Sequence, residues 1–137
     1  KAAVSRTNID TSTSLAILLN GKPIQAYYSS SSGGATQTTL DAWGQPTPYT
    51  QSVADPAGLD PKLNPRFASW KASSTQQLVA AAFLLPDVIS LEIVSRNSAG
   101  AVTYIKGTSS NGSTKLLRGD TFRSRAKIPS PYFQLAQ

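Results

Sequence analysis

Apolar and polar residues alternate strictly in one part of this chain, recur at helical spacing in a second, and form a short block before a turn in a third. The block runs from Leu15 to Leu19 and stops at Asn20-Gly21, the strongest two-residue signal for a β-hairpin. Its partner strand is expected over Ile24 to Ser29, with Ile24, Ala26 and Tyr28 on one face and Gln25, Tyr27 and Ser29 on the other, because side chains alternate along a strand. Ser74-Thr75-Gln76-Gln77 reads as a capping box with Ser74 as the cap. It opens a helix on which Leu78, Ala81, Ala82 and Leu85 repeat and which Pro86 ends. Val88 to Ser95 alternates, Ile89, Leu91 and Ile93 on one side against Ser90, Glu92 and Val94 on the other. Asn97-Ser98-Ala99-Gly100 then turns the chain into Ala101 to Lys106 as a second hairpin. A strand over Lys115 to Arg118, a turn at Gly119-Asp120 and a final strand over Tyr132 to Leu135 complete the pattern.

The fold class expected from these elements is α+β: mainly antiparallel strands and hairpins, one main helix, and a long irregular connection. That connection, Asp41 to Pro65, holds Pro46, Pro48, Pro56, Pro61 and Pro65, and Trp43, Tyr49 and Trp70 are expected to pin it. With 137 residues the chain has the size of a single domain that buries a core without metal or disulfide help, and one domain over residues 1–137 is the reading.

The segment least explained by packing is Tyr28-Ser29-Ser30-Ser31-Ser32-Gly33-Gly34-Ala35-Thr36-Gln37, where four serines and a threonine surround two adjacent glycines. Hydroxyls beside glycines suit a backbone that approaches a polyhydroxylated ligand closely, since glycine removes the side chain and accepts dihedrals other residues avoid. The same composition describes a flexible linker. Here, however, the apolar and aromatic residues on both sides point to a structured loop.

Composition then excludes chemistry. The chain has no Cys, His or Met, which removes zinc fingers, Ser-His and Cys-His nucleophilic pairs and a histidine base. The 7 carboxylates are scattered without the spacing of a calcium loop, so no metal and no cofactor is expected. No stretch approaches the roughly 20 apolar residues of a membrane helix. The absence of cysteine fits an exported bacterial protein, and a lysine at position 1 suggests an upstream segment. With 13 Lys and Arg against 7 Asp and Glu, a net charge of +6 and a pI near 9.8, the chain is attracted to polyanions. Lys115, Arg118, Arg123, Arg125 and Lys127 cluster with only Asp120 in opposition. No recognition helix or basic–aromatic interleaving marks a nucleic-acid binder. Anionic surfaces and carboxylate-rich or teichoic-acid wall polymers remain as partners of the right sign, beside the simpler reading of a solvated basic face.

The run Asn20-Gly21-Lys22-Pro23-Ile24-Gln25-Ala26-Tyr27-Tyr28 into the Ser/Gly loop, followed by Trp43-Gly44, Pro48-Tyr49, Ser52-Val53, Asp55-Pro56 and Trp70, resembles the stage II sporulation protein D and amidase-enhancer (SpoIID/LytB) family. Ser98-x-Gly100 with Val102, Gly107, Gly119-x-x-x-Arg123 and Ser130-Pro131-Tyr132-Phe133 continue the resemblance over nearly the whole chain. It implies a bacterial, exported or wall-facing protein acting on peptidoglycan. Sporulation members of the family are lytic transglycosylases and amidase-enhancer members modulate a wall amidase. The family's glutamate acid/base belongs to an upstream helical half that precedes the matching region. Its zinc-associated histidine after the tyrosine pair is replaced here by Ser29. The resemblance therefore implies the C-terminal, strand-holding part of such a domain.

Glycoside cleavage needs a carboxyl placed to protonate the leaving oxygen. Glu92, the only glutamate, falls on the outward face of a strand, and Asp55 and Asp60 precede prolines in turn-forming positions. Asp41 either shapes its loop or bonds sugar hydroxyls. No catalytic residue is assigned. The candidate glycan contacts are Ser30, Ser32, Gly33, Gly34 and Thr36 in the loop, Asp41, the stacking faces of Trp43, Tyr49 and Trp70, and Arg123, whose guanidinium either forks onto a sugar carboxylate or pairs with Asp120. The expected function is glycan-strand binding within a wall-remodelling protein; the alternative is a fragment of a lytic transglycosylase. A wall amidase and anionic wall polymers are further expected partners.

Overall fold

The computed structural model describes Asp10 and residues 15–136, and it has the α+β architecture expected from the pattern. Two compact units make up the chain, one ending at Ser30 and the other starting at Ser31.

In the described part of the first unit, Asn20 and Gly21 take φ of 50° and 74° and form the expected turn. Strand β1 (Leu18–Leu19) pairs antiparallel with β2 (Lys22–Pro23) in the register Leu19 to Lys22. The second strand does not run over Ile24 to Ser29 as the alternation predicts. Pro23 brings no N–H to the ladder, and one further bond, from Ile24 N to Ile17 O at 3.1 Å, ends the pairing with β1 among the described residues.

The second unit is built on a three-stranded antiparallel sheet of β3 (Ser90–Arg96), β4 (Val102–Thr108) and β5 (Thr114–Arg118), with β4 central. Leu91 and Ile93 face the core, as their alternation requires, whereas Ile89 lies outside the strand and is exposed. The pairing shifts between Ile93 and Ser95, a bulge that ends the strict alternation. Asn97 closes the β3–β4 turn: its carboxamide oxygen accepts the Ala101 amide at 2.9 Å.

Four helical elements complete the unit: α1 (Thr39–Trp43), a 3-10 turn (Pro56–Leu59), α2 (Gln76–Phe83) and α3 (Gly119–Arg125). The α2 cap lies one residue later than the capping box predicts. Thr75 Oγ1 accepts the Leu78 amide at 3.2 Å, while the Ser74 hydroxyl donates to Ala126 O at the end of α3. That register turns Val79, Ala80 and Phe83 inward beside Ala82 of the expected stripe, while Leu85 packs against the core from just beyond the helix and Ala81 is exposed. The helix closes at Leu84, held at φ 57°, ahead of Pro86.

Two C-terminal expectations are overturned. Gly119-Asp120 opens a helix rather than a turn, because Phe122 and Ala126 fall four apart and bury together, with Asp120 in the first turn and Arg123 and Arg125 in the last, where the helix dipole favours them. Tyr132 to Leu135 forms no strand; the segment crosses the sheet end, Val102 N donating to Pro131 O at 3.0 Å. Phe133 completes an aromatic row with Phe122 and Phe83 at centroid spacings of 5.6 and 5.5 Å. This row and Ile105, with 0 % exposure, are the centre of the core.

The link between α2 and β3 is tied to the β4–β5 turn through Asp87, which accepts hydrogen bonds from the buried Ser109 hydroxyl and, at 3.0 Å, from the Ser110 amide. The Ser109 hydroxyl, then the side chain and amide of Ser110, hold the Asp87 carboxyl below its usual value, against a smaller opposing effect of burial. A carboxyl whose folded value is depressed contributes stability that is complete above its unfolded value and lost as pH falls through the folded one. Stability is expected to decline below about pH 4. In urea titrations across that range, Asp87→Asn is expected to be less stable at neutral pH and to flatten the acid side of the profile.

Candidate functional site

The Ser/Gly segment from Ser31 onward is an ordered loop whose polar groups are turned on one another and on the protein. Ser32 Oγ donates to Asp55 at 2.6 Å and accepts the Gly34 amide at 3.2 Å. Asn64 Nδ2 donates to Ser31 Oγ at 2.9 Å and to Gly58 O at 2.8 Å. Thr36 Oγ1 donates to Gln51 O and accepts the Val53 amide at 2.8 Å, and Thr36 N and Asp55 N close the Ala35–Ala54 bridge. The glycines do permit close approach, but to this chain's own side chains. A Cβ on Gly33 would lie 2.7 Å from the Tyr132 ring, and one on Gly34 would lie 2.8 Å from Leu59. Both sit at positive φ, 68° and 106°. Ser32, Gly33, Gly34 and Thr36 thus form a brace, and Ser30, exposed, ends the first unit.

Tyr132 locks this brace from the other end of the chain, donating its hydroxyl to Ala35 O at 3.0 Å. Burial pushes its phenol above the usual value; a Gln37 hydrogen bond opposes the shift and the Asp41 charge adds to it. Gly33→Ala combines a strained φ with a clash against this ring. It is expected to cost about 2 kcal/mol, read as a lower urea midpoint at unchanged slope.

The brace delivers the chain into α1. Thr38 caps it, accepting the Asp41 amide at 3.1 Å and donating to the Asp41 carboxylate at 2.9 Å. Thr39, Thr47 and Thr50 join their hydroxyls in a closed triangle of 2.8 to 3.0 Å, which fastens the proline-rich connection to the start of the helix. Gly44, at φ 80°, ends α1 directly after Trp43. Trp43 is exposed, with 57 % of its surface accessible.

That indole stands on a cleft of about 210 Å³ between α1, the start of β4 and α3. Asp41, Trp43 and Arg123 line it together with Gln37, Arg118 and Asp120. Arg123 Nε lies 3.5 Å from Asp120 Oδ1, an exposed pair of small energetic weight that leaves most of the guanidinium fork open. Arg118 has no ion pair among the described residues, and its Nη1 lies near Gly44. The cleft therefore offers an indole face, two carboxylates, an amide and two guanidinium groups.

Of the sequence candidates, Asp41, Trp43 and Arg123 converge. Tyr49 is half-buried outside the cleft, and Trp70 packs against the core and lines a different one of about 470 Å³, which also reaches Arg123. Arg118, Asp120 and Gln37 escaped sequence reasoning because their convergence depends on α3. The spacing of Phe122 and Ala126 was the signal that would have revealed it. Glu92 is exposed on its strand, as expected, and pairs with Lys106, and Asp60 accepts the Lys62 amide at 2.7 Å in the turn role expected of it. Among the described residues no group of three His, Cys, Asp or Glu side chains is placed to hold a metal, and no helix is long and apolar enough to cross a membrane.

No protein-family model matches the chain, and neither the curated proteins nor the solved structures contain a match to it.

Proposed function

We propose that this chain is the glycan-strand-binding portion of a bacterial cell-wall protein, as the resemblance to the SpoIID/LytB family implies, and that the cleft at Asp41, Trp43 and Arg123 holds the strand. The observation that carries this reading is the exposed indole of Trp43 beside carboxylate and guanidinium side chains. A pyranose ring lays its C–H face on an indole while its hydroxyls need acceptors and donors at the edge. Gln37, Asp41 and Asp120 supply these, and Arg118 and Arg123 match the carboxylate of an acidic sugar such as a muramic unit. The hydroxyls of the Ser/Gly brace are spent internally, so its part is to hold α1 in place.

Peptidoglycan glycan strands incubated with the chain are expected to co-sediment with it and to show no new anhydromuramic ends by mass spectrometry. Such ends from this chain alone would contradict a purely binding role. Ends produced only when the chain is extended upstream would establish the lytic transglycosylase fragment instead.

A further inference from the structure

We propose a second binding site, beyond the glycan cleft, for the phosphoryl group of a sugar or polyol phosphate. It occupies the cleft of about 470 Å³ lined by Arg66, Phe67, Trp70, Arg123 and Lys127. Three cationic side chains converge there, Arg66 from one part of the sequence and Arg123 and Lys127 from the end of α3, and no carboxylate lines the cleft. Acids of this part of the chain are engaged elsewhere: Asp41 at the cap of α1, Asp55 with Ser32, Asp60 and Asp87 in turns, Glu92 with Lys106. Only Asp120 touches the set, at 3.5 Å from Arg123, and from outside the lining. Other arginines nearby serve the fold: Arg125 donates to Ala82 O at 2.9 Å, and Arg96 to Gly100 O and Phe133 O. Arg66 and Lys127 have no carboxylate or carbonyl partner among the described residues; Arg66 is steadied only by the Phe67 ring, 5.1 Å below its guanidinium.

Lys127 supplies a second and independent sign. It follows α3 at φ 56°, the left-handed position that closes a helix and that glycine or asparagine fills without strain. Ile128 N bonds back to Arg123 O at 3.1 Å across it, so the geometry is that of a helix closure. A lysine there costs stability that glycine would spare, and it is one of the residues that line the cleft. Strain kept at a lysine that lines one cleft with Arg66 and Arg123 is a mark of use rather than of folding.

The chemistry of the set selects the ligand. A carboxylate is planar, with two oxygens that one guanidinium fork satisfies. A phosphate holds its oxygens tetrahedrally, three of them free in a monoester with up to two negative charges and two in a diester with one, which suits an ammonium and two guanidinium groups gathered at one cleft. Trp70, with Ile128 and Pro129 beside it, gives the carbon skeleton of the ester an apolar wall. The phosphoryl group is common to a free monoester and to a phosphodiester-linked polymer, and the experiment separates the two.

The chain has two tryptophans, so its indole N–H resonances report the two clefts separately. Titration with glycerol 3-phosphate and with a short poly(glycerol phosphate) is expected to move the Trp70 indole and the Lys127 amide saturably, with Trp43 unmoved. Arg66→Gln and Lys127→Gly are each expected to raise the Kd about tenfold, in line with loss of one charge-assisted contact. Lys127→Gly should at the same time keep or raise the Tm, an outcome that a merely structural lysine would not give. Both variants should bind glycan strands as the parent does. Binding of the polymer with little for the monoester assigns a polymeric source, and equal binding per phosphate assigns the free ester; either supports the site. Absence of a Trp70 shift, indifference of the Kd to both variants, or an equal response to poly-glutamate of matched charge overturns it.

Discussion

Replacing Gly119 with alanine is expected to lower the stability of this protein by roughly 3 kcal/mol or more and its Tm by about 10 °C. Gly119 is the buried first residue of α3, and a Cβ there would sit 1.8 Å from Val102 O on the central strand. The obstacle is backbone of β4, which cannot step aside as a flexible side chain does. Relief requires α3 to move off the sheet, opening the contact of Phe122 with Phe83 and Phe133. Globular domains hold only about 5–15 kcal/mol in all, so a loss of this size leaves a marginal fold. Gly112→Ala is the contrasting case, at φ 84° in open space, and is expected to cost about 1 kcal/mol from backbone strain alone. Thermal unfolding of the two variants compares the effects directly. The same close approach that makes Gly119 irreplaceable brings Asp120 and Arg123 to the cleft, so fold and site share this constraint.

Trp43→Ala is expected to weaken glycan-strand binding by tenfold or more, with little change in Tm. Both effects follow from the same exposure: an indole with 57 % of its surface accessible contributes little burial to the fold and presents surface to a ligand. Ser32→Ala is expected to do the reverse. Its hydroxyl bridges Asp55 and the Gly34 amide, so its loss destabilises the brace while leaving the indole and the two arginines of the cleft in place. Isothermal titration with glycan strands, beside urea unfolding, separates a contact residue from a supporting one.

The features legible in the sequence are those set by local chemistry. Asn20-Gly21 accepts positive φ at both positions, and the hairpin follows. Leu91 and Ile93 alternate, Asn97 to Gly100 turns, and the second hairpin follows. The helix at Gln76–Phe83 was visible, but its cap was not fixed between adjacent Ser74 and Thr75, since each hydroxyl suffices locally and only packing against α3 decides. The extended reading of Ile24 to Ser29 failed because alternation marks a side-chain pattern and supplies no pairing partner. At the Ser/Gly loop the composition announced a structured loop whose glycines and hydroxyls approach a ligand; the loop is there, but its close approaches and hydroxyl bonds go to the chain's own groups. The identity of those partners was beyond reach, because Tyr132 lies 97 residues from Ala35 and Asp55 lies 23 from Ser32. The cleft was half legible for the same reason: Asp41 and Trp43 are neighbours in sequence, whereas Arg118, Asp120 and Arg123 join them only through the placement of α3 against β4.

On the proposed function, the cleft at Trp43 meets the glycan while the Ser/Gly brace supports it. Amide and indole shifts of the isotopically labelled chain on addition of glycan strands test this most directly. The predicted result is a saturable shift of the Trp43 indole N–H with the amides of Asp41 and Arg123, and amides of Ser32, Gly33 and Gly34 that stay in place. Shifts confined to Ser32 through Thr36 with an unmoved Trp43 indole would contradict it.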